Sequence, residues 1–379
     1  MSWKEETTMS QKETFIKTAL DEEHSFSWCC NHYNITRKTG YKWLKRYRQY
    51  GSDGLSERSR RPKVNPNRSI RDTEEKIIGV RERHPAWGAR KIKAYLLRKG
   101  IKNLPAVSTI TQIIKRYGYI SKEASLKRLA FTRFEHAEPN ELWQMDFKGK
   151  FQLETNETCY PLTILDDHSR FSICLSACSN ERYTTVRDQL EKVFKQYGLP
   201  KCINVDNGNP WGDAGRQPHT KLTVWLMRLG IRVSHSRPKH PQTNGKDERF
   251  HRTLKEELLA QFKNTKIKDF STAQMLFDEW RDVYNHERPH EALNLDVPVN
   301  YYRFSKIEMP DELPAIEYSD DAITRTVRGN GYIRYKNREY HIGEAFCGHY
   351  IEVKLSDLED KIELYFGQNK IYTHKLNKN

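Results

Sequence analysis

Nowhere in the 379 residues does an apolar run approach the ~20 needed to span a bilayer. The opening segment, MSWKEETTMSQKETF, has no apolar stretch of the kind that drives secretion, so no secretory signal is expected. No basic amphipathic helix stands alone with a lipid-facing stripe, which argues against a membrane-surface role. Cysteine is scarce and irregular. The seven are Cys29, Cys30, Cys159, Cys174, Cys178, Cys202 and Cys347, an odd number with no CxxC pair and no His/Cys cluster at zinc-finger spacing. That pattern argues against a disulfide framework and a structural zinc site, and it reads as a reduced, cytoplasmic compartment. Internal repeats and low-complexity tracts are also missing.

What is present is length and a lopsided charge. The chain is too long for one ordinary core, and two to four domains are expected. Of its 65 Lys+Arg and 50 Asp+Glu, 30 and 15 fall within residues 1–140, leaving 35 of each in 141–379. The whole excess of +15 therefore lies in the first third of the chain. A basic N-terminal part on a neutral body reads as a polyanion-binding module, with double-stranded DNA the expected partner.

Helical patterns fill that basic part. MSQKETFIKTAL and SFSWCCNHY read as two short helices, and Thr36 can cap a third through Tyr50. The third buries Trp43, Leu44 and Tyr47 and presents Arg37, Lys38, Lys42, Lys45, Arg46 and Arg48. Helix, short turn, basic helix is the order of a helix-turn-helix. Residues 56–71 are a linker whose Arg58, Arg60 and Arg61 form a basic arm. A second helix-turn-helix is expected over 72–120. Asp72 or Thr73 would cap its first helix, Ala89–Lys99 would form its second, and Ser108 would cap its last, which carries Lys115 and Arg116. Residues 121–138 are a further basic linker. From 139 to 305 the pattern becomes α/β: strands at Leu142–Leu153, Tyr160–Asp166, Arg170–Ala177, Lys201–Val205 and Ile231–Ser236, with helices at Thr184–Tyr197, Thr220–Leu229, Gly245–Phe262 and Ser271–Tyr284. This predicts a mixed sheet with flanking helices. Six short strands over 310–379 predict a small all-β barrel or open sheet.

Three acids stand out. Asp146 lies in a strand, Asp206 ends another just before Asn207-Gly208, and Glu248 lies in the first turn of a long helix. Three carboxylates on three elements can converge over one sheet edge. Hard oxygen donors favour Mg²⁺ or Mn²⁺, and two such ions can hold the attacking and leaving oxygens of an in-line displacement at phosphorus. At about 100° per residue, Arg252 and Lys255 share the face of Glu248, opposite a buried stripe of Phe250, Leu254, Leu258 and Phe262. Asp247 is a second possible acid, pointing about 100° away. The loop before the helix adds Arg237, Lys239, His240, Gln242 and Asn244 as candidate DNA contacts, and Lys246 in the helix's first turn is another.

These residues carry a family resemblance. Trp143-Gln144-Met145-Asp146, Val205-Asp206-Asn207-Gly208 and the run His240-Pro241-Gln242-Thr243-Asn244-Gly245-Lys246-Asp247-Glu248-Arg249-Phe250-His251-Arg252-Thr253-Leu254-Lys255 closely resemble the DDE catalytic core of bacterial insertion-sequence transposases, the group related to retroviral integrases. Tyr284-Asn285 and Arg288-Pro289-His290-Glu291-Ala292-Leu293 resemble the segment closing that core. Leu165-Asp166-Asp167-His168-Ser169-Arg170 resembles its second hairpin, where the acids are structural. The likeness covers roughly 139–300. It implies a ribonuclease-H-like fold, a metal-dependent polynucleotidyl transfer with Asp146, Asp206 and Glu248 as the triad on two Mg²⁺ or Mn²⁺, and helix-turn-helix domains ahead of the core. It further implies a bacterial protein, nucleoid-associated when on DNA, acting as at least a dimer on the terminal inverted repeats of a mobile element. The 59 residues between Asp146 and Asp206 are followed by 41 between Asp206 and Glu248. The second gap is somewhat long for the family, and Asn209–Thr220 looks like the insertion. Two rival readings are a catalytically silent DNA-binding regulator descended from such an enzyme, and an RNase-H-type nuclease without strand transfer.

Overall fold

The computed structural model describes residues 7–21, 23–57, 69–120, 136–212, 219–235, 245–262, 264–356 and 361–375. The chain divides into two compact units, 1–68 and 69–379. The first holds α1 (Thr8–Leu20), α2 (Phe26–His32) and α3 (Arg37–Tyr50). Each starts on a hydroxyl cap: Thr7, Ser25 and Thr36 accept the backbone N–H of Ser10, Trp28 and Thr39, satisfying a donor the helix itself leaves orphaned. Phe15, Ile16, Cys29, Cys30, Trp43, Leu44 and Leu55 close around one core. Gly40 permits the approach of α3, since a Cβ there would meet Cys30 Sγ at 2.7 Å.

The second unit begins with α4 (Arg71–Arg83), α5 (Ala89–Arg98) and α6 (Val107–Arg116), packed around Ile77, Trp87, Ile92, Ile110 and Ile113. Two expected caps are corrected. Helix α4 starts after Ile70 and α6 after Ala106, neither with a side-chain cap. In both, helical backbone sets in ahead of the expected residue. Asp72 thereby lies in a first turn, where a carboxylate suits the helix dipole, and it pairs with Lys76 at 2.6 Å.

A six-stranded sheet follows: β1 (Trp143–Phe147), β2 (Phe151–Gln152), β3 (Thr158–Asp166), β4 (Ser172–Cys178), β5 (Cys202–Val205) and β6 (Arg232–His235). Strand β3 pairs antiparallel with β1, β2 and β4, while β1, β5 and β6 run parallel to one another. The single strand expected over 142–153 is broken at Lys148–Lys150, where Gly149 takes φ +89°, a conformation open to glycine. Helices α7 (Tyr183–Tyr197) and α8 (Lys221–Arg228) cover one face over Trp143, Met145, Ile164 and Ile203. On the other, α9 (Gly245–Glu257) and α10 (Phe270–Asp282) bury Phe250, Leu254 and Phe277 against Leu165 and Leu175.

The C-terminal strands are β7 (Thr324–Thr326), β8 (Tyr332–Tyr335), β9 (Arg338–His341), β10 (Tyr350–Ser356), β11 (Lys361–Phe366) and β12 (Asn369–Lys375). They form a four-stranded antiparallel sheet, β12-β11-β10-β7, and a separate β8-β9 hairpin. Both share one core, which also takes in Val224 and Met227 of α8. Among the described residues no helix is long and apolar enough to cross a membrane.

Candidate active site

Strand register assembles the site. In the parallel pair of β1 and β5, Trp143 lies beside Ile203 and Gln144 beside Asn204. Carried two residues further, that register sets Asp146 beside Asp206, just past the end of β5. Both acids thus sit at the carboxyl ends of adjacent parallel strands, where open α/β sheets place their ligands. On the other side of β1, Asp146 is in register with Thr163 of β3, whose hydroxyl donates to the Asp146 carbonyl at 2.9 Å. Asp146 Oδ1 accepts the Phe147 N–H at 2.8 Å. Asp206 Oδ1 accepts the Gly208 N–H at 2.9 Å, an aspartate turn that explains the Asn207-Gly208 following it.

Burial pushes the Asp146 carboxyl up to about 6, and the negative charges of Asp206 and Glu181 push the same way. Glu181, in the turn between β4 and α7, is itself raised by burial and by Asp206. It belongs to no motif, and only the fold brings its charge to this edge.

Helix α9 lies across this edge. Asp247, Phe250 and Leu254 are buried, while Glu248, Arg252 and Lys255 face solvent. Asp247 is 2% exposed. Its Oδ1 lies 3.4 Å from the Thr163 hydroxyl, and its Oδ2 3.4 Å from His251 Nε2. One ligand atom each from Asp146, Asp247 and His251 fall within 4.8 Å of one another. Burial and the charge of Asp146 hold the Asp247 carboxyl well above the usual carboxylate range. Burial, reinforced by Lys148, lowers His251 to about 3, leaving a neutral imidazole at pH 7. The structure therefore brings Asp146 and Asp206 to one sheet edge, and the acid it sets against Asp146 is Asp247. Glu248, one residue on, adds its charge to the cluster from the exposed face. In the folded helix Asp247 shares its buried side with Phe250 and Leu254. Clustered, partly desolvated carboxylates repel one another unless a cation joins them, and these oxygen donors fit a hard divalent ion.

Two models of the integrase core domain match this chain, over residues 136–241 and 229–298. A homeodomain-like domain matches residues 39–114 and a helix-turn-helix domain residues 11–63. Residues 136–298 are thus similar to the integrase core domain, with helix-turn-helix-type matches ahead of them. Among its relatives, the transposase for insertion sequence element IS904 of Lactococcus lactis is 28% identical over 61% of this chain and 93% of its own length. An uncharacterized 31.7 kDa protein of insertion element IS407 from Burkholderia multivorans is 24% identical over 43% of this chain, which spans 55% of that relative. The HTLV-2 integrase catalytic core domain, solved in complex with magnesium, is 15% identical over 44% of this chain and 99% of its own, with a TM-score of 0.34.

Within this core, Asp166 and Asp167 are structural. Asp166 accepts from the Asn140 N–H, the Ser169 N–H and the Ser169 hydroxyl. Asp167 accepts from Gln144 and the His136 N–H and pairs with Lys246. Lys246 is thereby committed to the core, with its side chain 17% exposed. Arg116 is likewise held by the buried Glu74, whereas Lys115 is exposed. On α3, Arg37, Lys38, Lys42, Lys45 and Arg48 are exposed, while Arg46 is half-buried with its guanidinium 5.1 Å from the Trp43 ring centroid. Arg60, Arg61, Lys239, His240, Gln242 and Asn244 lie outside the described residues.

Proposed function

We propose that this chain is a transposase: it binds the terminal inverted repeats of a mobile element and catalyses metal-dependent DNA strand cleavage and strand transfer. The observation that carries this reading is the β1–β5 register, which brings Asp146 and Asp206 together at one sheet edge beside the helix that bears Glu248. Asp146, Asp206 and Glu248 are the proposed triad. Bound divalent ions, two Mg²⁺ or Mn²⁺, would activate the attacking oxygen and stabilise the leaving one. The carboxylates fix the position of that chemistry. Lys148, whose ammonium is lowered by burial and by Lys255, lies where it faces the acids. Arg252 and Lys255 present cations along the exposed side of α9, where backbone phosphates would pass.

The reaction is two in-line displacements at phosphorus. In the first, a water oxygen bonds to phosphorus and the P–O3′ bond at the element's end breaks, freeing a 3′-hydroxyl. In the second, that 3′-oxygen attacks a target phosphate and expels the target's own 3′-oxygen. Pairing two element ends calls for at least two protomers. The helical domains ahead of the core supply DNA binding.

The test is strand cleavage and joining on a fragment carrying the element's own end, with Mg²⁺, Mn²⁺ or EDTA. Metal-dependent joining by the wild type, lost in Asp206→Asn and Glu248→Gln while end binding survives, is the expected result. Binding without cleavage in any metal would point instead to a silent regulator. Joining that survives Glu248→Gln would take the third carboxylate's role from that residue.

A further inference from the structure

We propose that Asp247 and His251, together with Asp146, form a mixed oxygen–nitrogen ligand set that holds a divalent ion and favours Mn²⁺ over Mg²⁺. The proposal rests on the reading of Asp146 as a metal-binding carboxylate and extends it to two residues that the triad does not include.

Three observations carry it. The first is proximity across elements. Asp146 comes from β1 and the other two from successive turns of α9, yet one ligand atom of each falls within 4.8 Å of the others. Residues i and i+4 of a helix share one face, the spacing by which a helix can offer two ligands to one ion.

The second is unmet electrostatic demand. Asp247 is almost wholly buried, and a buried carboxylate needs strong donors. Among the described residues, its two oxygens find Thr163 and His251, each at 3.4 Å, beyond the ~2.7–2.9 Å of a charge-assisted bond. The Thr163 hydroxyl has a single proton, and the Asp146 carbonyl at 2.9 Å and Asp247 Oδ1 at 3.4 Å both draw on it, while His251 Nε2 lies 2.8 Å from the same oxygen. Among the described residues, the charges of Asp146 and Glu248 act on Asp247 against that of Lys148. A divalent ion between Asp146, Asp247 and His251 would answer both carboxylates at once. Thr163 would then keep its bond to the Asp146 carbonyl, fixing β3 against β1.

The third is donor chemistry. An all-carboxylate site suits Mg²⁺, which takes hard oxygens and retains its waters. An imidazole among the ligands shifts preference along the first-row series, away from Mg²⁺ and toward Mn²⁺ and its neighbours.

The test measures metal directly on the full chain, without DNA. Free Mn²⁺ is followed by EPR during titration, and bound Mn²⁺ is examined for nuclear modulation from a coordinated nitrogen. The wild type is expected to show ¹⁴N modulation. His251→Gln should lose it and bind Mn²⁺ at least about tenfold more weakly, with Mg²⁺ competition changed much less. Asp247→Asn should weaken both metals. Circular dichroism and melting curves accompany each variant, and the wild-type nitrogen signal needs no substitution at all. A wild type with bound Mn²⁺ and no nitrogen coupling, or a coupling that persists in His251→Gln, overturns the inference. These outcomes separate from the joining assay. Nitrogen-coordinated Mn²⁺ without any DNA joining would sink the transposase reading alone, and joining by a protein whose Mn²⁺ has only oxygen ligands would sink the present inference alone.

Discussion

Asp146, Asp166, Asp167, Asp206, Asp247 and Glu248 share one stretch of the fold, and their surroundings divide them by role. Asp166 has no exposed surface and accepts three hydrogen bonds, from Asn140 and Ser169. It is a brace between the β3–β4 turn and the chain entering β1. Asp146 and Asp206 each accept a single local backbone N–H among the described residues, which leaves carboxylate oxygen available for a ligand. Replacing Asp166 with Ala strands three buried donors, each worth about 1–3 kcal/mol. Asp166→Ala should therefore lower the melting temperature sharply, with a stability loss of at least about 3 kcal/mol. Asp206→Asn should melt close to the wild type while abolishing joining. Equal melting temperatures for Asp166→Ala and the wild type would remove the brace.

At the scale of the element, α9 does two things with one helix. Its inner stripe of Phe250, Leu254 and Leu258 packs on Trp280 and Phe277 of α10 and on the sheet, all buried together. Its first turn delivers Asp247 inward and Glu248 outward. Anchoring and chemistry are therefore coupled, since any roll of α9 moves both acids. Leu254 has no exposed surface, so Leu254→Ala should cost about 2–5 kcal/mol in chemical denaturation and also depress joining, even though Leu254 touches no ligand. Full joining activity in a destabilised Leu254→Ala would show that the acids are held independently of the helix packing. The break after β1 works the same way at smaller scale. Gly149 ends the strand three residues past Asp146, keeping that acid at an edge rather than in mid-sheet.

For the whole molecule, charge separates function from scaffold. The excess of +15 sits in the first 140 residues, and among the described residues there α3 presents Arg37, Lys38, Lys42, Lys45 and Arg48 to solvent. The second helical bundle is tied to the core: Arg98 donates to the Glu287 and Leu295 carbonyls, and Lys99 pairs with Glu287 at 3.0 Å. Several of its cations are thus committed to protein, leaving α3 the stronger candidate for phosphates. Changing Arg37, Lys38 and Lys45 together to Ala should weaken binding to the element end and flatten the salt dependence, by about 0.9 in slope for each phosphate no longer neutralised. An unchanged slope would exclude α3 from the DNA interface.

Much of this was written in the primary sequence. Local order determines where hydroxyl caps start helices, as at Thr36 and Thr220, where alternation makes strands, and where a run such as Val205-Asp206-Asn207-Gly208 must turn out of a sheet. Those signals act over a few residues, so the elements and the charge partition could be read directly, and three acids on three elements could be expected to converge over one sheet edge. Three things were decided only by tertiary structure. The helix starts at Arg71 and Val107 depend on how the bundle packs rather than on the nearest capping residue. Glu181, in the β4–α7 turn, brings its charge to bear on Asp146, a relation between distant segments. The third is the choice between adjacent acids. Sequence separates Asp247 from Glu248 by about 100° on the helix, but which of them faces Asp146 depends on which side of α9 the sheet covers. Phe250 and Leu254 settle that by burying their stripe against Leu165 and Leu175, and Asp247 goes inward with them.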